Sequence, residues 1–273
     1  MPTQAEKGNI FRALHQRNSA FIIPNPWNIG SARLLEGLGF EALASTSAGF
    51  AFSVGQRDNT IGRERMLAHV AELVAATDLP VSADLENGFA DDPAGVAETI
   101  QLAAATGLAG GSIEDATGRA DQPLYEFGLA VERIRAAVEA VRALPRPFVL
   151  TARAENFLVG QPDLKDTIKR LQAYQEAGAE VLYAPALTSS EHIAAIVSSV
   201  DRPVNVLMGS PALRLDLAAL SNLGVRRVSV GSALSRAALG AFVRAAREMR
   251  ELGSFEFGAE AISFKDISAM FKA

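Results

Sequence analysis

The residues of this chain best suited to chemistry are acids that end short apolar runs. Asp84 lies in PVSADL (residues 80–85) with Glu86 just beyond it, and Glu114 lies in GGSIED (110–115). Three carboxylates brought together repel one another, and at least one takes up a proton unless a cation sits among them. The pattern predicts that Asp84, Glu86 and Glu114 converge on one ion, and oxygen-only ligation suits Mg2+ or Mn2+; structural ion pairing with Arg or Lys is the competing reading. Arg153 ends the run FVLTARA (148–154). Its guanidinium can fork onto a substrate carboxylate or bridge to the nearby Glu155.

Other run ends add polar groups. Ser47, Ala48 and Gly49 offer a hydroxyl and closely spaced backbone N–H groups able to cradle an anion. Tyr183 is a candidate for proton transfer and Asn205 for substrate contact. With no cysteine in the chain, disulfides, thiolate zinc sites and cysteine nucleophiles are excluded together. The three histidines, His15, His69 and His192, fall in helical patterns, which disfavours histidine general-base catalysis. Trp27, the single tryptophan, follows the first run and reads equally as a loop anchor or a pocket wall.

Something must carry these residues to one place. Eight short apolar runs are spaced along the chain, covering residues 21–26, 42–48, 80–85, 110–115, 148–154, 180–186, 203–208 and 226–231. Most are continuously apolar at their starts, as strands buried on both faces of a parallel sheet must be. Helical periodicity fills the gaps, for example over 62–78, 92–107, 129–144, 163–178 and 213–224, and several of these segments end in Gly. Strict alternation of eight units predicts a (β/α)8 TIM-type barrel with its site at the carboxyl ends of the strands. An open doubly wound sheet is the competing arrangement.

The 273 residues suit one such barrel domain, with 254–273 as a C-terminal helical extension bearing several Phe residues. Its apolar face packs either on its own barrel or on a partner subunit. A net charge of −5 with no basic run argues against nucleic acid and points to a small anionic substrate held locally. No apolar stretch is long enough to span a membrane or to act as a leader, so a cytoplasmic protein is expected.

Taken in order, NPWNIGSARLLEGLGFEALASTSAG, Arg57 with Asp58, SADLENGF, SIED and TARAENF resemble the isocitrate lyase/phosphoenolpyruvate mutase superfamily over about residues 10 to 240. That resemblance implies a barrel whose C-terminal helix is swapped between the subunits of a homodimer or homotetramer. It implies Mg2+ held by Asp84, with Glu86 and Glu114 acting largely through water. It also implies that Ser47, Ala48, Gly49 and Arg153 grip the substrate and that Asp58 lies beside the reacting centre. The cysteine segment that the lyases carry after IED is absent here, where the chain reads IEDATGRADQPLYEF. The usual isocitrate or methylisocitrate lyase mechanism is therefore not expected. The expected activity is a Mg2+-dependent carbon–carbon lyase or decarboxylase acting on a small 2-oxo or 2-hydroxy di- or tricarboxylate through an enolate. Two alternatives are a phosphonopyruvate-type P–C enzyme, whose gating loop carries Lys and Asn where this sequence offers only Arg119, Asp121 and Gln122, and a non-catalytic 2-oxo-acid-binding protein.

Overall fold

The computed structural model describes residues 2–271, so the last two residues of the expected 254–273 extension lie outside it. Eight strands form one sheet: β1 (Phe21–Ile23), β2 (Leu43–Ala44), β3 (Val81–Asp84), β4 (Gly110–Glu114), β5 (Val149–Arg153), β6 (Val181–Tyr183), β7 (Val204–Leu207) and β8 (Arg227–Ser229). Every ladder is parallel, and the spatial order β1-β8-β7-β6-β5-β4-β3-β2 brings the first two strands together at the seam. Ala44 N donates to Pro24 O across that seam at 3.1 Å, closing a (β/α)8 barrel. Each expected run contains its strand, trimmed at one or both ends.

Helices α1 (Gln4–His15) and α2 (Ile29–Gly37) precede α3 (Ser47–Ser53) and α4 (Arg63–Ala76). The outer ring continues through α5 (Pro93–Ala105), α6 (Phe127–Arg142), α7 (Leu164–Ala177), α8 (Ser190–Ser198), α9 (Leu217–Asn222) and α10 (Ala233–Leu252), with α11 (Phe264–Met270) after it. Two of these correct the sequence reading. Residues 42–48 do not form one strand, because Thr46 caps a new helix, its hydroxyl accepting from Gly49 N at 3.2 Å. The periodicity over 213–224 yields helix only from Leu217, where Asp216 caps the chain by accepting from Ala219 N at 2.8 Å.

The floor of the barrel is closed by α1. Phe11 and Leu14 pack with Phe21, Ile23, Val149 and Val181 in a cluster separate from the main core. β4 begins with glycine for this reason: a Cβ on Gly110 would lie 2.6 Å from Val149 O and 2.8 Å from the Phe11 ring. The barrel therefore opens at one end only. On the outside, α10, α11 and the segment between them leave Phe242, Leu252, Phe255 and Phe264 exposed. Among the described residues, no helix is long and apolar enough to cross a membrane.

Candidate active site

A cavity of about 230 Å3 opens at the carboxyl ends of the strands. Its lining includes Ser47, Ala48, Asp58, Asp84, Glu114, Arg153, Tyr183 and Asn205. Gly49 stands beside it in the first turn of α3, and Glu86 lines an adjoining cavity that shares Asn59 and Glu114 with the first.

One buried guanidinium organises the acidic side. Arg153 Nη1 lies 2.8 Å from Asp84 Oδ1, Nη2 lies 3.1 Å from Glu114 Oε2, and Nε lies 2.7 Å from Glu155 Oε1. Arg153 makes the expected bridge to Glu155 and also lines the cavity. Its face is turned to the Tyr183 ring, 5.0 Å from the ring centre. Asp84 is held on its other oxygen by Ser47, whose hydroxyl donates at 2.9 Å and whose backbone N–H donates at 3.3 Å. The backbone N–H of Asp84 in turn donates to Ser45 Oγ at 2.9 Å.

Asp84, Glu86 and Glu114 do not enclose an ion as they stand; among the described residues no three acids or histidines do. Arg153 lies between Asp84 and Glu114, and the backbone turns Glu86 aside. Glu86 has φ +50° and Phe89 has φ +54°, both left-handed for side chains that disfavour it. The buried Arg133 pins this strained turn by donating to the carbonyls of Asn87, Ala90 and Asp91 while stacking on Tyr125. Glu86 Oε1 is buried without a hydrogen-bond partner among the described residues. Burial and the neighbouring Asp84 and Asp58 push its pKa up to about 8. Burial likewise raises the Glu114 carboxyl far above the ordinary range, against the pull of Arg153. An orphaned carboxylate oxygen within an oxygen-only donor set, already short of positive charge, fits a hard divalent cation.

Asp58 stands on an exposed stretch at the cavity rim. Protein crowding its carboxyl on the cavity side, together with the charge of Asp84, raises its pKa. Tyr183 is pushed up to about 12, chiefly by burial, so its phenol stays protonated and serves as a donor. The segment of Ser47, Ala48 and Gly49 is the first turn of α3, with the Ser47 amide given to Asp84 and the Gly49 amide to Thr46. Gly49 is required by close approach, since a Cβ there would lie 2.5 Å from Thr46 Cγ2 and 3.1 Å from Trp27 Cβ. Trp27 is thereby a packing partner of that turn.

The far side differs. Asn205 accepts from Arg227 Nε at 2.9 Å through Oδ1 and donates to Ser229 Oγ at 2.9 Å through Nδ2. Asn25 joins three strand ends, donating to Ser45 O and accepting from Val230 N and Gly231 N. Sequence reasoning did not single out Arg227, because strand alternation alone does not say which of Arg226 and Arg227 points inward. Asp115 belongs to the scaffold behind the site. It accepts from Glu155 N, Arg170 Nη1 and Tyr174 Oη at 2.8, 3.1 and 2.6 Å. The three histidines lie outside the cavity lining, as their helical patterns suggest. Arg119 pairs with Asp91 at 2.9 Å and also lines the adjoining cavity.

Residues 11–250 match the family model described as phosphoenolpyruvate phosphomutase. The chain belongs to that family. It is 62% identical to a solved structure from Burkholderia cenocepacia J2315, provisionally described as a lyase/mutase, with a TM-score of 0.96 over 99% of this chain and 97% of the other. The oxaloacetate decarboxylase of Chromohalobacter salexigens is 28% identical over 96% of this chain and 92% of its own length. A phosphonopyruvate hydrolase solved with oxalate and Mg2+ is 26% identical, with a TM-score of 0.85 over 97% of this chain and 94% of the other. Family membership agrees with the superfamily resemblance carried by the strand-end motifs.

Proposed function

We propose that this chain is a Mg2+-dependent carbon–carbon lyase or decarboxylase acting on a small 2-oxo or 2-hydroxy di- or tricarboxylate. The observation that carries the reading is the acidic cluster itself. Asp84, Glu114 and Glu155 share the single guanidinium of Arg153, while Glu86 stands close by with an oxygen left unpaired. Asp84 would hold the ion, with Glu86 and Glu114 supporting it, and Mn2+ would serve in place of Mg2+. When bound, the ion supplies Lewis-acid stabilisation to the enolate that carbon–carbon cleavage generates.

The chain's own residues supply the rest. Arg153 and the first turn of α3, through Ser47, Ala48 and Gly49, orient the substrate carboxylate. Asn205 fixes the opposite wall. Tyr183, protonated at neutral pH, donates a hydrogen bond to developing negative charge and does not act as a base. Asp58, whose carboxyl holds its proton more tightly than usual, delivers or removes a proton at the rim. The reading of residues 1–273 as one barrel domain with an appended helical piece goes with a homodimer or homotetramer, because the exposed apolar residues of α10 and α11 need a cover.

Calorimetric titration with oxalate, a planar mimic of the pyruvate enolate, tests this reading on the native protein and on Asp84→Ala. Binding is expected to require both Mg2+ and Asp84. Mg2+-independent binding, or none, overturns it. Phosphonopyruvate chemistry is the second reading, supported by the family description and the hydrolase relative, and phosphate release from phosphonopyruvate measures it. Mg2+-linked binding without turnover of any 2-oxo acid would instead mark a binding protein.

A further inference from the structure

The deep end of the cavity holds a cation that the acidic cluster does not use. Arg227 is 5% exposed and lines the cavity from β8. Among the described residues it forms no ion pair. Its Nε donates to Asn205, its Nη1 lies 3.4 Å from His15 Nε2, and Nη2 meets no acceptor. The His15 contact brings no charge. His15 Nδ1 lies 2.8 Å from Phe11 O, which can only accept, so Nδ1 carries the proton and Nε2 is a neutral acceptor.

A guanidinium taken out of water without an anion is costly, and an anion arriving from the cavity offsets that cost. Space for one exists. Barrel interiors are normally filled by bulky branched side chains, whereas Ala44, Ser82 and Ser112 line this one near the level of Arg227. Ser229 adds a hydroxyl beside it.

We infer that Arg227, with Asn205 and Ser229, forms a second carboxylate pocket, so that the site selects substrates with a carboxylate at each end. One carboxylate lies with Arg153 at the mouth and the other descends to Arg227. The inference rests on the proposed reading of the mouth as the reacting end and adds the part of the substrate that reading leaves open.

Lactate and malate differ by one carboxylate in place of a hydrogen, and oxalate, whose two carboxylates are joined directly, serves as the probe of the mouth alone. Affinities for oxalate and for both enantiomers of lactate and malate, measured with Mg2+ on native protein, Arg227→Met and Arg227→Lys, test the pocket. Native protein is expected to bind one malate enantiomer at least about tenfold more tightly than lactate, the range of a charge-assisted hydrogen-bond pair. Arg227→Met is expected to lose that preference while oxalate affinity stays within about twofold, and Arg227→Lys to keep part of it. Equal binding of malate and lactate to native protein overturns the inference, as does a preference that survives in Arg227→Met. A uniform loss for all three ligands in Arg227→Met, with the melting curve unchanged, also overturns it, because Arg227 would then be only a countercharge for the acids. Failure of oxalate to bind native protein removes the reading of the mouth instead, and the malate preference still reports separately on Arg227.

Discussion

The two sides of the barrel cavity are built on opposite electrostatic plans. Around β3 to β5, one guanidinium serves three carboxylates at 2.7 to 3.1 Å. Around β7 and β8, a guanidinium of similar burial meets an amide and a neutral imidazole and, among the described residues, no acid. The first side is short of positive charge and the second is short of negative charge. On the proposed reading, a ligand that brings a cation to one and an anion to the other relieves both.

Removing a single acid should break the first side most completely. Asp84→Ala is expected to lower turnover of the eventual substrate by at least about a hundredfold, the scale of losing a main electrostatic contact in an active site. Circular dichroism should remain native, and full activity would remove Asp84 from the chemistry. Next comes the cation of that side. Arg153→Met strands one buried and two partly buried carboxylates and should cost about 3–5 kcal/mol in urea unfolding. The same change at Arg227 strands none, so its urea midpoint should fall much less; equal losses would erase the contrast.

A smaller effect belongs to the floor of the second side. His15 is pushed down to about 3 by burial and by the like charge of Arg227. Because its folded pKa lies below the unfolded value of about 6.5, its contribution is intact above pH 6.5 and is lost as pH falls toward 3. Native protein should lose roughly 1.4 kcal/mol per pH unit in that window from this residue. His15→Gln should show a correspondingly flatter acid limb in urea midpoints measured from pH 7 to 4. The smallest change expected is Thr46→Ala, which removes the cap of α3 and should cost about 1 kcal/mol. Oxalate affinity should weaken with it if the first turn of α3 grips a carboxylate.

Much of this was legible in residue order. Eight apolar runs with polar ends specified a barrel because parallel strands covered on both faces must be apolar until they reach the mouth. Asp84, Glu114 and Arg153, which line the cavity, stand out in the sequence because a charged residue at such an end has little packing to do. Glu86 reads as a third member of one cluster; it lines the adjoining cavity from a left-handed backbone position, and no pattern of residue types encodes that φ. α3 was hidden because Ser47, Ala48 and Gly49 have no helical periodicity to show, and the helix depends on the Thr46 cap. Arg227 escaped notice because it opens its strand, where a charge ordinarily means solvent.

The plug that α1 makes under the barrel also constrains traffic. With Phe11 and Leu14 packed into the lower cluster, the cavity is closed from below and reaches solvent at the carboxyl ends of the strands. A cleavage that yields two fragments must then release them in sequence through the opening by which the substrate entered. The fragment held deeper leaves last, and in steady-state kinetics it alone should compete with substrate, while the fragment nearer the mouth should inhibit noncompetitively.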